Sequence, residues 1–213
     1  MSADLTVVMA VRDGADWIER AVASAAEADG LLEVLVVDDG SSDESAALAA
    51  TASDAVRVIT QPPTGLPAAH NAGLREARGD LVAFLDADDL WAASTPDPRR
   101  ELLQGADAVL GRIQCLADGG PYAEPFHNGG IAGLLAKRSA FDEPVPFDES
   151  LQHGHDLDWY LRARERGIRI MRSNEVSLYY SLRPGSLSHA AGGRTRGLLA
   201  ALSKSTRRRG GVT

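Results

Sequence analysis

Two groups of acids follow directly on short apolar runs: Asp38 and Asp39 after Leu32–Val37, and Asp86, Asp88 and Asp89 after Leu81–Leu85. Ligands of open α/β sheets bind outside the carboxyl ends of the strands, so if both runs are strands of one sheet, at least four carboxylates converge on one crevice. Charges gathered in this way repel one another unless a cation or donor groups offset them. Oxygen ligands without a His or Cys cluster suit a hard ion, Mn²⁺ or Mg²⁺, that binds phosphate oxygens as well. The same residue types also make turns and cap helices. For Asp38-Asp39-Gly40-Ser41 both readings stand, whereas Asp86-Ala87-Asp88 at the end of a buried run favours a metal and a diphosphate.

The elements that must position these acids alternate. Leu5–Val11 reads as a buried strand, and Trp17, Ile18, Ala21, Val22 and Ala25 recur at helical spacing after it, with Asp13 or Asp16 as cap. Leu32–Val37 lacks alternation, which fits a strand buried on both faces. Ser42 or Asp43 is placed to cap a helix to about Ser53; Val56–Thr60 is a third strand, Pro67–Ala77 a third helix and Leu81–Leu85 a fourth strand. This order predicts a single α/β domain with a mostly parallel, doubly wound central sheet. Further on, Ala108–Ile113 reads as a strand, 117–128 as a Gly- and Pro-rich loop, and 154–165 as a helix with Leu157, Tyr160 and Leu161 on one face. Two more strands are expected at Ile168–Arg172 and Val176–Leu182, and a helical face with Leu198, Leu199 and Leu202 at 196–208. The expected division is a domain over 1–193 and a basic tail or helix over 194–213.

With 213 residues, 44% hydrophobic and 24% charged, the chain can bury a core without staples. Its one cysteine, Cys115, has no internal partner, and the start of the chain lacks a signal-peptide pattern, so a cytoplasmic location is expected. The net charge of -8 is uneven: seven bases and no acid lie from Arg183 onward, which leaves fifteen bases against thirty acids before it. A body of that sign repels phosphate backbones, so no nucleic-acid partner is expected. The basic tail with its leucines suits peripheral contact with the inner face of an anionic membrane. No GxxxxGK[ST] or GxGxxG occurs, which disfavours a P-loop and a dinucleotide fingerprint.

The succession LTVVMAV, VLVVDDGSSDES, HNAGLREARGD, LVAFLDADDLW and HDLDWYLRARERG, spanning about residues 5 to 187 with the segment after it, resembles the inverting nucleotide-sugar glycosyltransferases of family 2, which have the GT-A fold. The resemblance implies a nucleoside-diphosphate-sugar donor (UDP-sugar favoured, GDP or TDP as alternatives), a metal at a DxD motif, and one-step transfer to an acceptor. Matched position by position, it implies that Asp39 bonds the donor base with Asp38 beside it, that Asp88 touches the metal, and that Asp86 touches the ribose or a metal-bound water, with Asp89 in support. Asp156 of HDLDW is implied as general base, where the first turn of a helix suits a carboxylate; a helix cap is its alternative. Asp158 and Trp159 are assigned to fold and acceptor binding and Trp91 to a wall of the sugar pocket, with a core role as the alternative for either aromatic.

Four positions depart from the family pattern. Ala10 and Arg12 stand at the end of the first strand where a Pro and a base-stacking aromatic are usual, and the guanidinium plane of Arg12 offers a substitute surface. His70 replaces a common Arg among the donor contacts, and His155 replaces the Glu before the base, either tuning Asp156 or lying idle. Arg183 stands where a His often precedes Pro-Gly and is suited to diphosphate oxygens. The acceptor surface is expected between 117 and 150, including His127, Asn128, Gly129 and Gly130, with the acceptor unnamed. Two competing readings are an inactive nucleotide-sugar or glycan-binding relative and a sugar-phosphate nucleotidyltransferase; the latter lacks its glycine-rich basic loop, since VRDGADW is not one.

Overall fold

The computed structural model describes residues 4–92, 97–117, 120–143, 146–151, 153–182 and 193–210. Strands β1 (Leu5–Val11), β2 (Leu31–Asp38), β3 (Val56–Thr60) and β4 (Leu81–Phe84) pair in parallel in the order β3-β2-β1-β4. Along β1 every residue is buried. Leu5, Val7, Met9 and Val11 join one apolar cluster while Val8 and Ala10 pack into clusters on the opposite face, as the two-residue period of a strand requires. That is why the run is apolar throughout.

Helices α1 (Ile18–Ala26) and α2 (Ser45–Ala52) cover the first face, and α3 (Leu66–Glu76) covers the second. Helix α1 buries the expected Ile18, Ala21, Val22 and Ala25, but Trp17, just before it, remains 37% exposed. The expected cap of α1 by Asp13 or Asp16 is absent, whereas Asp43 serves the first N–H of α2. The Asp13 carboxylate accepts from the Ser42 N–H and hydroxyl, and Asp43 accepts from Ala15 N–H, so both acids bridge loops. Asp43 also accepts from the N–H and hydroxyl of Ser45, next to the α2 cap position.

Beyond β4 the sheet continues through β8 (Leu134–Lys137), β6 (Ala108–Ala117), β9 (Ile170–Ser181) and the short β5 (Leu90–Trp91), with β7 (Gly120–Pro121) on β6. Here β8 is antiparallel to both β4 and β6, while β6 and β9 run parallel. The two strands expected between 168 and 182 are one, and register shifts opposite Leu110–Ile113 let it stay paired along its length. Short α4 (Pro98–Leu102) precedes β6.

Helix α5 (His155–Glu165) buries His155, Asp158, Trp159 and Ala163, so the inward face is not that of Leu157, Tyr160 and Leu161, which are half-buried. Trp159 stacks on Phe141 with centroids 4.4 Å apart, and a large aromatic packed there outweighs the helical stripe of leucines. Helix α6 (Gly193–Gly210) lies against α5 through buried Ala201 and Ser205. No helix among the described residues is long and apolar enough to cross a membrane.

Candidate active site

In the order β3-β2-β1-β4 the chain runs outward from β1 in both directions, so a crevice opens at the carboxyl ends of β1, β2 and β4. Its rim is built by hydrogen bonds between the loops after β1 and β2. Asp13 N–H donates to the Ser41 hydroxyl at 3.0 Å, Gly14 N–H to the Ser45 hydroxyl at 2.8 Å, and Ser42 N–H to the Asp13 carboxylate at 2.7 Å. Of these, Asp13 and Ser42 are among the residues whose types suggest local helix caps; the signal for bridging is the density of Ser and Asp on both sides of the crevice.

Asp38 is buried and accepts from Ser41 N–H at 3.2 Å. The Asp39 carboxylate, also buried, is filled by the loop that follows β3: it accepts from Gln61 Nε2 at 2.7 Å, Thr64 N–H at 2.8 Å and Gly65 N–H at 2.8 Å. Burial alone would raise its pKa, but these donors from Thr64, Gln61 and Gly65 hold it below the ordinary value. Turn chemistry accounts fully for its contacts, and a base would share it with the loop. Arg12 is exposed beside Asp13, and Ala10 packs with Val37, Ala69 and Ala72 beneath the crevice.

Asp86, Asp88 and Asp89 offer one oxygen each, all within 4.8 Å of one another. Asp89 is buried and accepts from Ser181 N–H at 2.9 Å, which ties the turn to β9. Burial and then the charges of Asp88 and Asp156 push the Asp86 carboxyl up to about 7. Asp156, seventy residues later in the chain, therefore faces the same acidic cluster. It lies in the first turn of α5, which follows Gly154 in the left-handed conformation (φ 78°). A methyl on Gly130 would overlap the Asp156 carboxylate, so only glycine lets the 129–130 backbone approach it; Gly129 lies beside Leu157.

The cluster fits a divalent ion: three carboxylates converge, and burial and then the charges of its neighbours oppose the ionisation of one of them, a cost that a cation would offset. Asp86, Asp88 and Asp89 each offer an oxygen to such an ion, and Asp89 in addition accepts from the Ser181 N–H.

Other expected site residues lie elsewhere. His70 is 2% exposed between Phe84 and Phe147, and its Nδ1 is 3.3 Å from Nε2 of the buried His155. Trp159 is fully buried, and Asp158, 1% exposed, accepts from Arg162 and from Arg208 of α6. Trp91 is buried in the core with the Arg99 guanidinium 4.9 Å from its ring centroid. These three have packing and ion-pair partners rather than open surface. His127 bonds the Ser173 carbonyl at 2.8 Å, and Asn128 accepts from Gly130 N–H at 3.2 Å. Arg183 lies outside the described residues. Asn71 was not singled out from the sequence, yet it holds the backbone of Phe147.

A family model described as Glycosyl transferase family 2 matches residues 6–137. Among curated proteins, the chain is 30% identical to the succinoglycan biosynthesis protein ExoO of Rhizobium meliloti over 87% of its own length and 62% of that protein's. It is 31% identical to the pre-mycofactocin glycosyltransferase of Mycobacterium tuberculosis, over 78% of its own length and 40% of the relative's. It thus spans less than two thirds of each. Among solved structures, S. aureus TarS 1-349 in complex with UDP-GlcNAc superposes with a TM-score of 0.76 at 19% identity, covering 88% of this chain and 61% of TarS 1-349. The mannosyltransferase PcManGT from Pyrobaculum calidifontis, in complex with GDP-Man and Mn²⁺, gives 0.74 at 20% identity over 97% of this chain and 65% of that one. At those identities the structures establish the shared GT-A fold.

Proposed function

The chain belongs to glycosyl transferase family 2, and from that premise we propose that it moves a sugar from a nucleoside-diphosphate sugar to an acceptor hydroxyl, inverting the anomeric carbon. The observation that carries the reading is the convergence of Asp156 with Asp86 and Asp88 at the switch point of the sheet. The acceptor oxygen attacks the anomeric carbon, the bond from that carbon to the diphosphate breaks, and the nucleoside diphosphate leaves with the electron pair. Asp156 takes the hydroxyl proton as general base. It projects from the first turn of α5, where the helix N-terminus favours a negative charge. Gly130 backs the carboxylate and limits its rotamers. Asp86 and Asp88 would hold Mn²⁺ or Mg²⁺, which when bound would offer positive charge against the leaving diphosphate. The loops zipped by Ser41, Ser42 and Ser45 form the rim against which the nucleotide lies, and Asp39 and Arg12 border the base.

The relatives' structures with UDP-GlcNAc and GDP-Man support a nucleotide-sugar donor here as well. A thermal-shift series with UDP, GDP and TDP, each with and without Mn²⁺ or Mg²⁺, tests the donor site, because a ligand of the folded state raises the melting temperature by mass action. One nucleotide is expected to give a metal-dependent rise. Absence of any rise at saturation would overturn the donor site and favour the binding-relative reading. Asp156→Asn is expected to abolish transfer and leave nucleotide binding intact; loss of binding would contradict its role. The proposal extends to peripheral contact with an anionic membrane through α6, whose Leu198, Leu199 and Leu202 are exposed beside the exposed Arg207.

A further inference from the structure

Two neighbouring residues of α3, His70 and Asn71, reach across the molecule to the segment that delivers Asp156. The Asn71 amide pairs with one backbone residue as a strand would: its Oδ1 accepts from Phe147 N–H at 2.9 Å and its Nδ2 donates to Phe147 O at 2.8 Å, with Glu149 Oε1 also 2.9 Å away. His70 Nδ1 meets Nε2 of His155, the first residue of α5, at 3.3 Å. Residues 147 and 155 bracket the segment that turns into α5, and Asp156 follows at once. All three side chains, Asn71, His70 and His155, are buried.

Packing alone does not account for the histidine pair. His70 is boxed by the rings of Phe84 and Phe147, with centroids 5.2 and 5.5 Å away, and an aromatic hydrocarbon would fill that space. Instead the pair leaves His70 Nε2 and His155 Nδ1 buried with no partner among the described residues. Such orphaned atoms carry a desolvation penalty. A directional contact that costs stability at the root of a reactive side chain is the pattern of a positioning device.

We propose that His70 and Asn71 are positioning residues that clamp the entry of α5 and so aim Asp156, with His70 doing this in place of touching the donor diphosphate. The proposal rests on the reading of Asp156 as the base. The clamp acts on the turnover of bound donor and not on its affinity.

The test compares His70→Phe, which keeps ring packing and deletes the bond, with His70→Asn, whose amide restores a polar atom near Nδ1, and with Asn71→Ala. Binding of UDP and of GDP with Mn²⁺ is measured by calorimetry. Nucleotide release from UDP-N-acetylglucosamine and GDP-mannose, with water as acceptor, is measured at saturation below each melting temperature, per binding-competent site. The expected result for His70→Phe and Asn71→Ala is a fall in turnover of about tenfold or more with affinity within roughly twofold of wild type. His70→Asn should recover part of the loss. Weakened nucleotide binding with unchanged saturated turnover in His70→Phe would make His70 a donor contact and overturn the proposal, as would unchanged turnover in all three variants. Should His70→Phe lose its cooperative melt, His70→Asn and Asn71→Ala decide by the same split. Asp156→Asn run alongside separates the two readings: activity retained there sinks the base, whereas an inactive Asp156→Asn with wild-type turnover in the clamp variants sinks only the clamp.

Discussion

Asp86 sits where burial and the charges of Asp88 and Asp156 all oppose its ionisation, and its carboxyl is pushed up to about 7. A metal must displace that proton. Mn²⁺ affinity of the nucleotide-free protein is therefore expected to fall about tenfold per pH unit below neutrality and to level off above it. Titration by calorimetry between acidic and mildly alkaline pH checks this, and Asp86→Asn should flatten the slope. In the metal-free protein the raised carboxyl favours the folded state while it is protonated. That contribution declines as pH rises from 3.8 towards about 7. The buried histidines act in the opposite sense. Burial lowers both pKa values, with the neighbouring His155 adding to the effect on His70, and with Asp156 opposing and His153 reinforcing it on His155. Their contribution is complete above the unfolded value of 6.5 and is lost as pH falls below it. A melting-temperature profile of His70→Phe should lose part of that acid sensitivity. At Gly130 an added methyl would strike the Asp156 carboxylate, so Gly130→Ala is expected to cut turnover by about tenfold or more while nucleotide binding persists. Equal loss of both would deny the contact a catalytic meaning. The Asp types at strand ends were legible in the sequence, but the engagement of Asp39 by Thr64 and Gly65 was not, because a carboxylate's partner is chosen by whichever loop folds over it.

Helix α5 carries Asp156 at one end and is held along its length by α6. Arg208 donates to Asp158 at 2.9 Å and to Glu165 at 2.8 Å, Ser205 donates to Glu165, and Lys204 pairs with Asp148. Asp158 is nearly inaccessible, so its two arginines, Arg162 and Arg208, offset a charge that water cannot reach. Arg208→Ala leaves one of them and is expected to lower stability by about 1.5–3 kcal/mol, read by denaturant unfolding. Arg208→Lys should recover only part, because an ammonium cannot serve both carboxylates in a planar fork. No change in the unfolding midpoint would mean that Asp158 is solvated in solution. The strand and helix positions of the first ninety residues followed directly from apolar runs and turn residues. The buried face of α5 did not, since the leucine spacing pointed to Leu157 and Leu161 while the space beside Phe141 is filled by Trp159.

Over the whole molecule, charge and exposure are divided. The body is acidic, whereas α6 carries a basic run with no acid and leaves Leu198, Leu199 and Leu202 at 46%, 61% and 44% exposure. Those leucines are exposed, whereas Ala201 and Ser205 are buried and Ser205 bonds Glu165 of α5. Replacing all three by Ser is expected to reduce sedimentation with vesicles of phosphatidylglycerol and leave the fold intact, because the docked face is untouched. Binding to neutral phosphatidylcholine vesicles of equal strength, or undiminished binding by the variant, would sink the membrane reading. The chain itself was enough to establish what is local: continuous apolar runs that can only be buried strands, the acids that end them, and the order of motifs that marks the family. Three-dimensional packing alone decided that His70 turns inward to His155, that Asn71 holds Phe147, that Trp91 and Trp159 are core, and that Asp156 lies near enough to Asp86 for its charge to act there. Each of those contacts joins residues some seventy or more positions apart or depends on which of two faces a helix buries. Both are settled by the competition of side chains for one shared interior, which no run of neighbouring residues records.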